Sequence, residues 1–353
     1  MQMVEYSNDR FVRNMPMPTR RLGPLTVSAI GLGAMNLNHA YGEPCTPQEG
    51  AALLNRAIDL GCTLVDTAAL YGNGENERLI AAAIGHRRSE YRLTTKCVLD
   101  VIDGKRSLDG SPGQIVRTVE GSLARLKMDH VDMVYLHRLD KKVPVEESVG
   151  ALVRLKEQGK LGAIGLSEMS ATTIRRAHAV HPIAAVQSEY SPAVRNPEIG
   201  VLATCRELGI GFVAFSPVAR GLLAASVQGA DYVAGDIRAA MPRFIEPTLD
   251  ENLALVARYD AIAAEAGCTP AQLALAWLLA RGDDIVPIPG TRSIAHLEQN
   301  LAAATLAIDP ALLEKVDEIM PPGALRGARY AAAMQAQIDT ETFADEELAE
   351  TAS

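Results

Sequence analysis

Ser28-Ala29-Ile30-Gly31-Leu32-Gly33-Ala34-Met35-Asn36, residues 28–36, is the stretch on which the fold turns. It reads as a first β-strand over 28–33 running into a pair of glycines. An open parallel sheet that binds a dinucleotide carries G-x-G-x-x-G directly after that strand, with an acidic residue ~20 positions later. Gly31 and Gly33 begin the pattern, but Ala34, Met35 and Asn36 follow, so no glycine closes it.

Seven further short runs follow, at 63–66 (TLVD), 92–96 (RLTTK), 131–136 (VDMVYL), 161–165 (LGAIG), 184–187 (AAVQ), 211–215 (GFVAF) and 285–288 (IVPI). Between them apolar residues recur at helical spacing, as in Leu53, Leu54, Ala57 and Ile58, or Val116, Val119, Leu123 and Leu126. Thr46-Pro47 with Glu49 reads as a capping box with proline at the first helical position, and Gly61 as the stop; Ser111-Pro112 and Gly159 repeat these signals. Eight strand–helix units fit an open doubly wound sheet or a closed barrel, because parallel strands need covering helices in both. The missing third glycine decides for an α/β fold of the (β/α)8 TIM barrel type. Residues 15–27 (MPMPTRRLGPLTV) read as an N-terminal β-hairpin turning at Gly23-Pro24. The expected division is a flexible N-terminus at 1–14, the barrel at 15–322 and a partly helical C-terminal tail at 323–353.

The 353 residues suit one such barrel, which typically needs ~250. With 48% hydrophobic residues and a net charge of -9, the composition argues against a nucleic-acid surface or an anionic membrane and for a small-molecule partner. Cys45, Cys62, Cys97, Cys205 and Cys268 are scattered and odd in number, without CxxC spacing, which fits a reducing cytosol. The opening MQMVEYSNDRFVRN has no apolar targeting core, and no apolar run reaches the ~18 residues of a membrane span. A cytoplasmic location is expected. The outer helical faces leave a homo-oligomer open.

Catalytic groups in a barrel come from the C-terminal ends of strands and the loops after them. Asp66, Lys96 and His137 stand at such ends, and Tyr71 lies in the loop after the second strand. Their chemistry suits carbonyl reduction. When hydride adds to the carbonyl carbon, the oxygen needs a proton, which a tyrosine hydroxyl supplies if its pKa of ~10 is lowered. Lys96 would lower it, Asp66 would hold the ammonium, and His137 would orient the carbonyl oxygen. Singly, each is an ordinary cap, surface or packing residue; their conjunction at one rim carries the weight. His39, His86, His130, His178, His181 and His296 are read as packed or solvated.

After the eighth strand, Gly290, Thr291, Arg292 and Ser293 open a helix, where free N–H groups and an arginine favour the adenosine phosphate of a dinucleotide. The exit of strand seven, AFSPVARGLL, offers Phe215 to stack on a nicotinamide and Ser216, Arg220 and Gly221 to approach a pyrophosphate. Ser167 with Glu168, and Gln187, are polar at strand ends and suit a carboxamide.

In order along the chain, GLGAM at 31–35, VDTAALYGNGENE at 65–77, TTK at 94–96, YLHR at 135–138, GKLGAIGLSE at 159–168, AVQSEYSP at 185–192, FSPVARG at 215–221 and PIPGTRS at 287–293 resemble the aldo-keto reductases over residues 19–320. The wording of GLSE and FSPVARG is similar to the microbial and plant branch acting on aldehydes and ketones. The resemblance implies an NADP-dependent reductase of a small-molecule carbonyl, with extended NADP(H) bound without a Rossmann fold and a tetrad of Asp66, Tyr71, Lys96 and His137. It carries cofactor contacts over to Ser167, Gln187, Phe215, Arg292 on the 2′-phosphate and Asn300 on adenine. Gly33, Ala34, Met35, Asp66, Ser216, Pro217, Arg220, Gly221, Gly290, Thr291 and Gln299 lie in or beside the same matching stretches and are expected to join them. Two positions depart from the pattern: Glu168 stands where many members have asparagine, and Phe215 where many stack a tyrosine.

The loops 97–111, 138–144 and 217–249 and the tail from 323 should frame the pocket. In the tail, GARYAAAMQAQ either folds over the site or packs outside; Trp277 is expected in the core. A redox-sensing regulatory subunit of the same fold is the alternative function. A metal-dependent hydrolase is disfavoured, since metal sites generally take three or more protein ligands and only His137 and Asp66 are clearly placed.

Overall fold

The computed structural model describes residues 16–343 apart from Asp103, so the expected flexible segment 1–14 lies outside the described residues. The chain opens with a hairpin of β1 (Thr19–Leu22) and β2 (Leu25–Ser28), turning at Gly23-Pro24 as the sequence predicts. The wall strands follow as β3 (Leu32–Gly33), β4 (Leu64–Asp66) and β5 (Arg92–Cys97). An antiparallel ribbon of β6 (Leu99–Ile102) and β7 (Lys105–Leu108) then interrupts what the sequence reading leaves as a loop. The wall resumes with β8 (Val131–Leu136), β9 (Leu161–Ser167), β10 (Ala185–Glu189), β11 (Gly211–Phe215) and β12 (Ile285–Pro287). Among the described residues, β3, β4, β5 and β8 to β12 form one eight-stranded sheet in that spatial order, every pair parallel.

The sheet closes where the opening stretch meets the last strand. The Gly31 N–H donates to the Pro287 carbonyl at 2.9 Å and the Gly33 N–H to the Pro289 carbonyl at 3.2 Å. Closure removes the exposed edge that an open sheet must manage. It also explains the glycines: a Cβ on Gly33 would stand 2.8 Å from the Ile288 carbonyl oxygen, and one on Gly290 2.9 Å from that of Gly33. The expected first strand over 28–33 contracts to Leu32–Gly33. Ser28 belongs to the hairpin, where its N–H donates to the Thr63 hydroxyl at 2.7 Å, and the chain must bend over 29–31 to reach the wall.

Helices α1 (Pro47–Asp59), α2 (Glu75–Ile84), α3 (Pro112–Leu126), α4 (Val145–Glu157), α5 (Ala171–Val180) and α6 (Val201–Leu208) cover the first wall strands. Helices α7 (Thr248–Glu265) and α8 (Pro270–Ala280) precede β12, and α9 (Ile294–Ala302) and α10 (Pro310–Ile319) follow it. The predicted capping box is present: the Thr46 hydroxyl accepts from the Glu49 N–H at 3.3 Å while the Glu49 carboxylate accepts from the Thr46 N–H at 2.9 Å. Gly61 and Gly159 take the left-handed conformation a stop requires, at φ 83° and 76°. No single helix among the described residues is long and apolar enough to cross a membrane.

Inside the barrel, Leu64, Met133, Tyr135, Ala163 and Val213 pack on Leu22 and Val27 of the hairpin. Tyr135 fits because Gly165 has no Cβ; one there would lie 2.3 Å from its ring. The hairpin thus seals the N-terminal ends of the strands. The C-terminal ends stay open to carry the site.

Candidate active site

Each predicted catalytic side chain arrives at the open rim. Asp66 ends β4, Lys96 lies one residue before the end of β5, and His137 follows β8 directly. Tyr71 comes from the loop after β4, where Gly72, Asn73 and Gly74 all turn left-handed, at φ 56°, 53° and 83°. Glycine and asparagine are the residues that tolerate that region.

Lys96 is almost fully buried, and its ammonium donates to the Asp66 carboxylate, to the Thr67 carbonyl at 2.9 Å and to the Tyr71 hydroxyl oxygen at 3.1 Å. Its three hydrogens meet three acceptors. Because the Tyr71 oxygen accepts from Lys96, its own hydrogen is left to point toward the cleft. Asp66 is fixed in turn by the Thr94 hydroxyl at 2.7 Å and the Gln187 amide at 2.9 Å.

Burial raises the Tyr71 pKa above that of an ordinary phenol; Lys96 pulls it down and Asp66 pushes it up. Lys96 acts in the expected direction, but the expected net lowering is corrected, since loss of solvent outweighs the neighbouring cation. The hydroxyl stays protonated at neutral pH, which is the form able to donate. Burial also works against charge on Lys96, yet Asp66 and then Tyr71 lift its pKa above the usual value. His137 lies well below its ordinary range, through burial first and then the charges of Arg138, Lys96 and Arg106. Its neutral ring stands edge-on to Tyr71, centroids 6.0 Å apart, with a buried Nδ1 that has no protein partner.

One cleft of about 550 Å³ runs from Tyr71 and His137 to Arg292 and Asn300. Asp66, Gly33, Met35, Ser167, Gln187 and Phe215 line the first part; Ser216, Pro217, Arg220 and Gly221 follow, then Gly290, Thr291, Gln299 and Asn300. Lys96 stands behind Tyr71. Ala34 is the exception among the expected cofactor contacts: it is buried in the core, its carbonyl accepting from the Asn76 amide at 2.8 Å. Arg220 reaches the cleft but commits its guanidinium to Glu189 at 2.9 Å and to the Tyr330 hydroxyl at 2.7 Å. Ser216, Ala219 and Arg220 all have positive φ, the kind of backbone strain that clusters at ligand sites. Arg292 is exposed, with one nitrogen on the Glu43 carbonyl at 2.6 Å.

Glu168 is turned out of the cleft. Its carboxylate accepts from Arg329 at 3.1 and 3.3 Å, from the Thr340 hydroxyl at 3.0 Å and from the Glu189 N–H at 2.8 Å, so it is not available to a carboxamide. Arg329 also reaches Glu189 at 3.4 Å. This buried network brings the tail over the site: Tyr330 lines the cleft, as does Met334 on α11 (Ala332–Gln335). Trp277 is fully buried, as expected.

Sequence reasoning misses His39, which stacks on Tyr71 with centroids 5.7 Å apart, and His296, which also borders the cleft. It misses Arg106 and Arg138 as well. Position was the available signal, since His39 lies in the loop after β3 and Arg138 next to His137. Among the described residues no group of three or more His, Cys, Asp or Glu stands together as a metal-binding set.

The model of the aldo/keto reductase family matches residues 29–321. The chain belongs to that family. It is 42% identical over 324 residues to an NADP(+) aldo-keto reductase of Schizosaccharomyces pombe, covering 90% of this chain and 95% of that one. Among solved structures, it is similar to a glycerol dehydrogenase from Gluconobacter oxydans (TM-score 0.77, 23% identity, 94% and 99% of the two chains), a likeness of fold. It is also similar to an aldo-keto reductase from Bacillus halodurans in its holo form (TM-score 0.72, 26% identity, 89% and 98%). Family membership accounts for the closed barrel.

Proposed function

We propose that this chain reduces an aldehyde or ketone to the alcohol with NADPH, Tyr71 acting as general acid. The observation that carries the reading is the Tyr71 hydroxyl, lining the cleft and accepting its hydrogen bond from a buried Lys96, with burial holding its pKa above that of an ordinary phenol. Likeness to the NADP(+) reductase of Schizosaccharomyces pombe supports the cofactor. So does the cleft. The half-buried Phe215 ring would meet the nicotinamide, Ser167 and Gln187 its carboxamide, Ser216 and Gly221 the pyrophosphate, Arg292 the 2′-phosphate, and Gln299 with Asn300 the adenine end.

When bound, NADPH supplies the hydride. The protein then handles the oxygen. Neutral His137 orients the carbonyl oxygen, Tyr71 gives it the phenolic hydrogen, and Lys96 stabilises the phenolate left behind while Asp66 holds the ammonium in register. A positioned acid contributes roughly 10²–10⁴ in rate, so Tyr71→Phe should lower kcat by that factor across a panel of aldehydes and ketones while NADPH binds as before. Undiminished turnover would assign the proton to another group. Turnover by the isolated chain separates an enzyme from a regulatory subunit.

A further inference from the structure

The buried carboxylates around the cleft are matched pair by pair: Asp66 with Lys96, Glu168 with Arg329, Glu189 with Arg220 and Asp236 with Arg238. Three cleft-lining arginines are left over, Arg292, Arg138 and Arg106, and the last two act on His137. Arg138, next in the chain to His137, is only 9% exposed. Its Nη1 donates to the His137 carbonyl at 2.6 Å and to the Ser167 hydroxyl at 3.4 Å, and among the described residues no carboxylate pairs with it. Glu168 feels its charge, but both oxygens of Glu168 are already engaged by Arg329, Thr340 and the Glu189 N–H. Arg106, on β7, lines the same cleft with no hydrogen bond or ion pair among the described residues. An exposed arginine without a partner is ordinary, whereas one nine-tenths buried without a counter-ion is not.

Both charges lie at the reacting end. Arg138 and Arg106 each disfavour a proton on His137, Arg138 also acts on Tyr71, and Arg106 acts on His39. Arg292, the candidate for the cofactor's 2′-phosphate, stands elsewhere, beside Glu43 and α9. A guanidinium offers a planar fork of donors that matches carboxylate and phosphate oxygens. Resting on the carbonyl reduction proposed above, we propose that Arg138 and Arg106 form a subsite for an anionic group of the substrate. The preferred substrates are then aldehydes or ketones that also carry a carboxylate or a phosphate.

The test compares a carboxybenzaldehyde with its methyl ester, and glyceraldehyde phosphate with glyceraldehyde, alongside calorimetric binding of benzoate and benzamide to the NADP+-loaded protein. At least one anionic substrate should exceed its uncharged counterpart in kcat/KM by about tenfold or more, mainly through KM, as loss of one charged hydrogen bond implies. The pair with the larger ratio identifies carboxylate or phosphate as the source. Arg138→Gln and Arg106→Gln should each pull that ratio toward one, and Arg138→Lys should restore part of it. Arg106, being exposed, keeps the test alive if Arg138→Gln does not fold. Ratios at or below one for both pairs in the unmodified enzyme would overturn the subsite, as would ratios unmoved by either variant. Weaker NADP+ binding by Arg138→Gln with the ratio intact would give Arg138 to the cofactor instead. Failure to turn over any carbonyl sinks the Tyr71 reading, whereas turnover without a preference for benzoate over benzamide in binding sinks this one alone.

Discussion

At the scale of single residues, burial and charge pull the Tyr71 hydroxyl in opposite directions, and burial prevails. In the proposed reduction the protonated hydroxyl is the donor, which is fully present below its folded pKa and lost only as pH rises through it. With that pKa above the ordinary phenol value, kcat for reduction should stay level from about pH 6 to 9, short of the usual ~10. A pH–rate profile with a midpoint near neutrality would assign the proton elsewhere. Lys96→Met removes the cation beside a buried carboxylate and should cost ~3–5 kcal/mol in a denaturant titration, partly recovered by adding Asp66→Asn. Arg292→Ala should weaken NADPH about tenfold or more while leaving NADH nearly unchanged; equal loss for both would move the 2′-phosphate to another site. The positions of Asp66, Lys96 and His137 were legible because strand ends are written in a local pattern of β-branched runs. The direction of the Tyr71 pKa was not, since desolvation sums over neighbours far apart in sequence. Glu168 shows the same limit: its partner Arg329 lies 161 residues away, and nothing local announces it.

At the scale of elements, the tail is held by charge rather than by apolar packing alone. Arg329 is almost fully buried between Glu168 and Glu189, and the Asp339 carboxylate accepts from the Ser170 N–H at 2.9 Å. Breaking one side of a buried ion cluster strands the other, at ~3–5 kcal/mol. Arg329→Ala should therefore raise amide hydrogen exchange across residues 326–341 and loosen the cleft wall, with the wall strands still protected. Unchanged protection there would mean that apolar contacts hold the tail. The ribbon of β6 and β7 was readable in principle, because Asp103-Gly104 is a turn dipeptide flanked by strand-forming residues. Four-residue strands give the alternation too little length to stand out.

At the scale of the whole molecule, the two ends of the barrel are divided between stability and chemistry. Leu22 of the hairpin is fully buried under the floor, away from the rim. Leu22→Ala should cost ~2–5 kcal/mol in chemical denaturation, as a cavity in a packed core does, while leaving KM for NADPH unaltered. A change in KM would mean that the floor and the rim are coupled. The fold was legible from one absent glycine because closure and open-sheet binding demand different backbones at the same place. The seam itself, with Gly31 and Gly33 bonded to the carbonyls of Pro287 and Pro289, joins residues too distant for any pattern to show. The Arg329 clasp has a temporal consequence. Domains of a growing chain tend to fold as they are synthesised, N-terminal parts first. On a ribosome the barrel through α10 would emerge before Arg329, so a catalytic rim could assemble while its outer wall was still to be translated. The wall carrying Tyr330 and Met334 would be the last part of the cleft to form.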